Sequence, residues 1–250
     1  MPERYKEFGY WEIASRQMSI VTKSQQTRFK DSKIAVIGCG GIGGETIEML
    51  ARMGIGELTI IDKDEYDVSN LNRQTMASLD CVGLLKNEVT KEKVRLINPY
   101  TKVNSVNAEI NEENVEEILK EHDIIIDALD NILTRIITTR FARENNIPYI
   151  HGAIHGTMGQ LSVFNKDTKS YEEMFSLPSN GKELSEDIKE EVSNLTQGVP
   201  PAIGPTPNII GCLEAFEAYK IITGIGEVTY APKILNFDLL NLESFRLLEL

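Results

Sequence analysis

The stretch KIAVIGCGGIG, residues 33–43, constrains the fold of this chain more than any other. Lys33–Gly38 is a short apolar run stopped by glycine, the pattern of a strand buried on both faces of a parallel sheet. Gly38, Gly40 and Gly43 then fall in G-x-G-x-x-G spacing, with Gly41 inside the match. Glycines so placed permit a tight turn, close approach of phosphate to backbone, and close packing of helix on strand. Ile47, Leu50 and Met53 follow at helical spacing, so a helix is expected over Gly43–Met53. Its start offers unpaired amides and a positive dipole end to an anion. A strand–helix turn holding no ligand satisfies the same pattern, so residues further along must decide.

The alternation continues. ELTIID gives a second strand ending at Asp62, about 20 residues past the glycines, where a ribose-binding carboxylate belongs. A helix over Lys86–Ile97 stops before Pro99. KVNSVNAEI alternates like a strand, Glu112–Lys120 is helical, and HDIIIDALDN holds a buried strand with Asp127 and Asp130 at its exit. Helix Thr134–Glu144 and strand IPYIHG extend the series. Such βαβ units predict an α/β fold, a Rossmann-like, doubly wound, mainly parallel sheet. Its ligands lie beyond the carboxyl ends of the strands, where Gly38–Gly43, Asp62 and Asp127–Asn131 all fall.

Past Gly159 the character changes. GQLSVF is a strand, and residues 165–204 form a long polar crossover loop with a helical turn near Glu183–Val192. Ile209–Gly224 is a helix, and KILNFDLLNLESFRLLEL gives two strands joined near Asn241, so the sheet finishes antiparallel. The 250 residues fit one domain over 1–250, with a helical arm at 1–30.

A formal net charge of −12 argues against a nucleic-acid partner, although a few local cations suffice for a single nucleotide. No apolar run approaches the roughly 20 residues that span a bilayer, and the first residues lack an apolar signal core. No membrane partner is therefore expected. Cys39, Cys81 and Cys212 stand apart, which fits a reducing cytosol and a cytoplasmic location.

DEYDVSNLNRQ brings Asn70, Arg73 and Gln74 just after Asp62, and Lys86 follows. An NAD site meets its pyrophosphate mostly with backbone amides, whereas a triphosphate about to be split needs positive charge at its far end. Arg73 and Lys86 supply it, and Asp130 is placed to hold Mg²⁺ between phosphates. The competing account of Arg73 and Lys86 is a solvated surface pair.

SRQ at Ser15–Gln17, VIGCGGIG, LTIIDKDEYDVSNLNRQ, Lys86 in VGLLKNE, RLINP and IIIDALDN together resemble the MoeB/ThiF/HesA family, relatives of ubiquitin-activating enzymes that adenylate carboxylates with ATP. The resemblance runs from about Arg16 to Gly224. It implies ATP and Mg²⁺ as cofactors, with Gly38, Gly40, Gly41 and Gly43 at the phosphates and Asp62 and Asp64 near the ribose. It places Asn70, Arg73, Gln74 and Lys86 at the triphosphate, and Leu129, Asp130 and Asn131 beside it, Asp130 as the magnesium ligand. It makes Arg16 an arginine finger reaching the partner subunit's ATP, and hence implies a homodimer. Arg16, Arg73, Lys86 and Asp130 are then the catalytic set. Both reactants are anions, so catalysis is charge neutralisation and in-line positioning, and the ionised carboxylate needs no general base.

The chain departs from the family in two respects. Many relatives hold zinc with two Cys-x-x-Cys pairs; three scattered cysteines cannot, so no structural zinc is expected. Members that pass the acyl group to their own cysteine keep it in the crossover loop, where Gln197 stands here. Cys212 is assigned to the apolar side of its helix, Cys39 lacks room to react, and Cys81 has nothing nearby to lower its pKa. The acyl-adenylate is therefore expected to leave to a separate acceptor. His151 and His155 flank GAI at a strand end, as substrate-pocket residues or as backbone-bonded ones.

Two substrates remain open. One is a small-molecule carboxylate, as in the HcgE-type branch that handles guanylylpyridinol in iron-hydrogenase cofactor assembly; the missing zinc and thiol lean this way. The other is the C-terminal glycine of a ubiquitin-like sulfur-carrier protein. An NAD-dependent oxidoreductase lacks a matching acid–base pair, and a non-catalytic nucleotide scaffold does not need Arg16, Arg73, Lys86 and Asp130 together.

Overall fold

The computed structural model describes residues 8–195, 198 and 200–250. Eight strands form one sheet: β1 Lys33–Ile37, β2 Glu57–Ile61, β3 Lys102–Val106, β4 Ile124–Asp127, β5 Tyr149–His155, β6 Met158–Phe164, β7 Lys233–Asp238 and β8 Asn241–Glu249. Their order is β3-β2-β1-β4-β5-β6-β7-β8, with β1 to β5 parallel and the last three joined antiparallel. The order reverses between β1 and β4, which makes a ligand crevice beyond their carboxyl ends. Ile37 is in register with both Ile61 and Asp127, so three strand ends stand level there.

Nine α-helices are found among the described residues. They are α1 Tyr10–Ile13, α2 Lys23–Asp31, α3 Gly41–Met53, α4 Lys86–Ile97, α5 Val115–Leu119, α6 Ile132–Glu144, α7 Tyr171–Met174, α8 Glu186–Ser193 and α9 Pro205–Thr223. Strand alternation divides the core. Ile34 and Val36 of β1 join Phe29, Ile47, Leu50 and Tyr219 on one face, under α2, α3 and α9. Ala35 and Ile37 face Leu119, Ile136 and Phe141 of α5 and α6 on the other. Each fully buried isoleucine contributes about 1.5–3 kcal/mol, so both faces must be covered, as parallel sheets require. No helix among the described residues is long and apolar enough to cross a membrane.

The differences from expectation have local causes. The α3 helix begins at Gly41, two residues early, because Gly40 serves as its N-cap. The helix sought over Glu112–Lys120 begins only at Val115, since Asn111 Oδ1 accepts from Glu113 N at 2.9 Å and Asn114 Oδ1 accepts from Asn111 N at 2.9 Å. Such side-chain turns compete with the helix. β5 passes through Gly152 to His155 and folds back at Gly156, where φ is +62°. The crossover loop holds the unforeseen α7, capped by Ser170 Oγ accepting from Glu173 N at 3.0 Å. Its other helix starts at Glu186 rather than Glu183, and α9 starts at Pro205, where proline fits a first helical turn. The arm is α1, a 3₁₀ turn at Ser15–Gln17, and α2; residues 1–7, like Gln197, lie outside the described residues.

Candidate active site

The glycine turn has little freedom to be anything else. Gly38 has φ +102°, and a Cβ there would meet Ala128 O at 2.6 Å; one on Gly43 would meet Gly38 O at 1.8 Å. Gly38 N donates to Ile61 O at 2.7 Å, and Cys39 N to Asp62 Oδ2 at 2.7 Å. Gly40 and Gly41 are the half-buried floor. A Cβ on Gly40 would find only Gln74 Nε2, at 3.8 Å, and one on Gly41 would press on Pro207 Cβ at 3.0 Å and reach Arg73 Cγ at 3.6 Å. Arg73, Gln74 and Pro207 therefore rim a bare strip of backbone at a helix N-terminus, which suits an anion. Gln74 is buried and its Oε1 has no partner among the described residues, an orphan acceptor at the edge of the strip.

The segment carrying Arg73 is held by its own side chains. Asn70, buried, accepts from Asp67 N at 3.0 Å through Oδ1, and its carbonyl receives Arg73 N and Gln74 N at 3.1 and 3.0 Å. Arg73 Nη1 donates to Ser69 O at 2.9 Å and Asn72 Oδ1 at 2.8 Å, both neutral, so its charge has no carboxylate partner among the described residues. Asn72 Nδ2 donates to Ala202 O at 3.1 Å, and Gly156 N to Pro201 O at 2.8 Å, which moors the end of the crossover beside the site.

Asp62 accepts from Cys39 N and, through Oδ1, from Asp64 N at 2.8 Å. Each oxygen keeps a second lone pair for a ribose hydroxyl. Burial raises the Asp62 pKa, against these amides and Lys86. Lys86 has only 10% of its side chain exposed and meets the exposed Asp64 Oδ2 at 3.2 Å. An ammonium with three donors and one partner found has N–H groups to spare, so the surface-pair account fits it poorly.

Asp130 is exposed in the loop after β4, with Leu129 and Asn131 half-buried on either side. Asn131 caps α6, accepting from Thr134 N at 2.8 Å. One exposed carboxylate suits Mg²⁺, which binds one or two carboxylates together with substrate phosphates. No group of three or more His, Cys, Asp or Glu side chains fit for a metal occurs among the described residues.

Two residues, His151 and Cys212, stand elsewhere than expected. His151 does not line a pocket: it has no exposed surface, and Nδ1 meets Asp127 Oδ2 at 2.8 Å. His155, four residues further along β5, is exposed. Cys212 is not core but exposed on α9, 3.4 Å from Glu45 Oε1. Burial first, then Glu45, pushes its thiol up to about 11. Cys39 and Cys81 are buried. Arg16 is exposed near the far end of α3, since Gln17 Nε2 donates to Met53 O at 2.8 Å. The thirteen residues from Gly41 to Met53 make twelve helical rises, about 18 Å. Arg16 is thus remote from the glycine turn of its own chain.

Sequence reading missed Arg135, Pro207 and Glu214. Arg135 pairs with Asp127 at 2.9 Å in the interior. The available signal was an arginine on the otherwise apolar first turns of ILTRIITTRF.

Comparison with known proteins places the chain in a family. The ThiF family matches residues 14–250. The SAMP-activating enzyme E1 of Haloferax volcanii is 35% identical over 211 residues, covering 84% of this chain and 74% of that one. A probable molybdopterin-synthase adenylyltransferase of Porphyra purpurea is 38% identical over 204 residues; they cover 81% of this chain but 51% of that protein, so the chain spans about half its length. Among solved structures, E. coli MccB with ATP superposes with a TM-score of 0.79 at 24% identity, over all of this chain and 73% of that one, a likeness of fold alone. The chain belongs to the ThiF family, and is an adenylyltransferase on a Rossmann-like sheet.

Proposed function

We propose that the chain uses ATP and Mg²⁺ to adenylate the C-terminal carboxylate of a small carrier protein, releasing pyrophosphate, and that it works as a homodimer. The observation that carries the nucleotide half of this reading is the bare Gly40–Gly41 strip rimmed by Arg73 and Gln74, with Lys86 tethered among the described residues through Asp64 alone. The carrier half is supported by relatives at 35–38% identity, one named as activating SAMP and one as an adenylyltransferase of molybdopterin synthase. No relative named above favours the small-molecule carboxylate.

In this reading α3 amides and Arg73 hold the phosphates, Asp62 orients the ribose, and Lys86 leaves Asp64 to meet triphosphate oxygens. A magnesium ion held by Asp130 would supply charge neutralisation between phosphates. The carboxylate oxygen forms a bond to the α-phosphorus while the bond from that phosphorus to the bridging oxygen breaks, and pyrophosphate leaves with the electron pair. Two anions meet, so fixed positive charge and alignment account for most of the acceleration. With Cys212 set against the Glu45 carboxylate and its thiol raised, the acyl-adenylate passes to a separate acceptor.

ATP–pyrophosphate exchange tests the reading. Exchange should depend on an added carrier ending in glycine, and fall by about 10²-fold or more in Arg73→Ala and Asp130→Ala with melting unchanged. Exchange stimulated by a small carboxylate but by no carrier would replace the substrate. Exchange unaffected by both substitutions would remove the site.

A further inference from the structure

Asp127 ends β4 with no exposed surface. Its Oδ1 receives Arg135 Nε at 3.2 Å and Leu129 N at 2.8 Å, and its Oδ2 receives His151 Nδ1 at 2.8 Å and lies 2.9 Å from Arg135 Nε. Arg135 Nη2 turns back to the Leu129 carbonyl and also meets Gly152 O at 3.3 Å. One buried ion pair therefore grips Leu129 by both its amide and its carbonyl. On the other side Asn131 is fixed as the cap of α6. Asp130, exposed and with no shared role in this network, sits between two anchored residues.

We propose that Asp127, Arg135 and His151 are positioning residues that hold the Leu129–Asn131 backbone so that the Asp130 carboxylate is preset for the magnesium-bridged triphosphate; the inference rests on the role given to Asp130 above. A buried ion pair is a poor way to gain stability, because apolar side chains of similar volume do as well or better. What this pair offers instead is direction: four hydrogen bonds aimed at one loop and the neighbouring strand. His151 completes it. Its ring is kept neutral chiefly by burial, against the Asp127 bond. The Nδ1 proton then points to Asp127, and Nε2 lies 3.4 Å from the Gln160 amide nitrogen, which donates to it. The tautomer follows from these partners. The arrangement parallels the carboxylates and backbone groups that orient metal ligands elsewhere, whose removal weakens metal binding.

The full chain is tested by melting, by the dissociation constants of ATP with magnesium and with EDTA, and by hydrogen exchange of the Leu129 amide in metal-free protein. Asp130→Ala should weaken Mg·ATP by about tenfold or more and leave metal-free ATP nearly unchanged. Arg135→Lys should weaken Mg·ATP by about tenfold with the same selectivity, and add nothing in an Asp130→Ala background. Leu129 should exchange faster in Arg135→Lys, by about tenfold. Should Arg135→Lys fail to fold, His151→Leu carries the same measurements, since leucine fills the buried site and has no bond for Asp127. A folded Arg135→Lys or His151→Leu that binds Mg·ATP within about twofold of the parent, or losses that add in the double variant, would overturn the positioning role alone. Wild-type Mg·ATP binding by Asp130→Ala would instead remove the role of Asp130, and this inference with it.

Discussion

Glu214 of α9 is a carboxyl group with no exposed surface, and its Oε1 has no partner among the described residues. A Cβ on Gly152 would lie 2.2 Å from that oxygen, so strand β5 leaves no room beside it for water. Burial pushes its pKa well above 4.5, Asp127 adds to the rise, and Thr46 and Arg135 oppose it. Hydrogen bonding agrees. Thr46 Oγ1 is 3.0 Å from Ile42 O and 2.8 Å from Glu214 Oε2, yet it has one proton. A protonated Glu214 resolves the conflict, because Thr46 can then donate to Ile42 O and share the acid's own proton with Oε2. Above pH 4.5 the unfolded chain releases this proton and the folded chain keeps it. The folded state binds more protons, so this group makes stability fall as pH rises, by up to about 1.4 kcal/mol per pH unit until the raised pKa is reached. Glu214→Gln has nearly the same shape and no proton to release. Urea denaturation of both proteins at pH 5, 6 and 7 should show the variant gaining on the parent by up to about 1.4 kcal/mol per unit. His122 and His151, whose lowered pKa values act in the opposite sense below about 6.5, are common to both proteins and cancel in the difference. Curves that stay parallel from pH 5 to 7 would refute a protonated Glu214.

Two further outcomes follow from packing and exposure. Gly41→Ala places a methyl 3.0 Å from Pro207 Cβ, in the strip assigned to phosphate; the protein should fold, with ATP affinity in calorimetry reduced by about tenfold or more, the loss of one charged hydrogen bond. Iodoacetamide at pH 8 followed by peptide mass mapping should label Cys212 alone, roughly a hundredfold slower than an unperturbed thiol, because a pKa near 11 rather than 9 leaves that much less thiolate; labelling at the rate of a free thiol contradicts the Glu45 contact.

The parallel half of the fold was legible because its signals are local. Gly38 and Gly43 sit where a Cβ would strike backbone, and Lys86–Ile97 has the expected bounds, since Pro99 stops it. The charges proposed for the nucleotide come from a short span as well, for Arg73 and Lys86 follow closely on Asp62. What the sequence hid is pairing across the sheet. Asp127 and His151 are 24 residues apart and meet only because Asp127 and His151 are in register between β4 and β5. Helical spacing alone put Cys212 on the apolar side of α9. That helix is packed by α3 and by the sheet, and close contact falls to Gly211, whose Cβ would lie 2.6 Å from Ile42 O. The neighbouring Cys212 is thereby turned outward.

Arg16 poses the sharpest remaining question, because nothing among the described residues of its own chain accounts for it. It follows Ser15 in a 3₁₀ turn docked at the Met53 end of α3, and the glycine strip lies at the other end, about 18 Å away. An extended arginine spans less than half of that. If Arg16 serves ATP, it serves a second subunit's, and complementation can show it. Arg16→Ala and Asp130→Ala should each be inactive in exchange alone. Mixed one to one after subunit exchange, half of the dimers pair the two variants. In each such dimer one site has Asp130 and receives an intact Arg16, and the other has neither. Half of the dimers with half of their sites gives about one quarter of parental activity. Differently tagged chains, co-purified, establish that exchange took place. Paired dimers that remain inactive, or Arg16→Ala that is active by itself, would place Arg16 outside the catalytic set and leave the homodimer without a chemical reason.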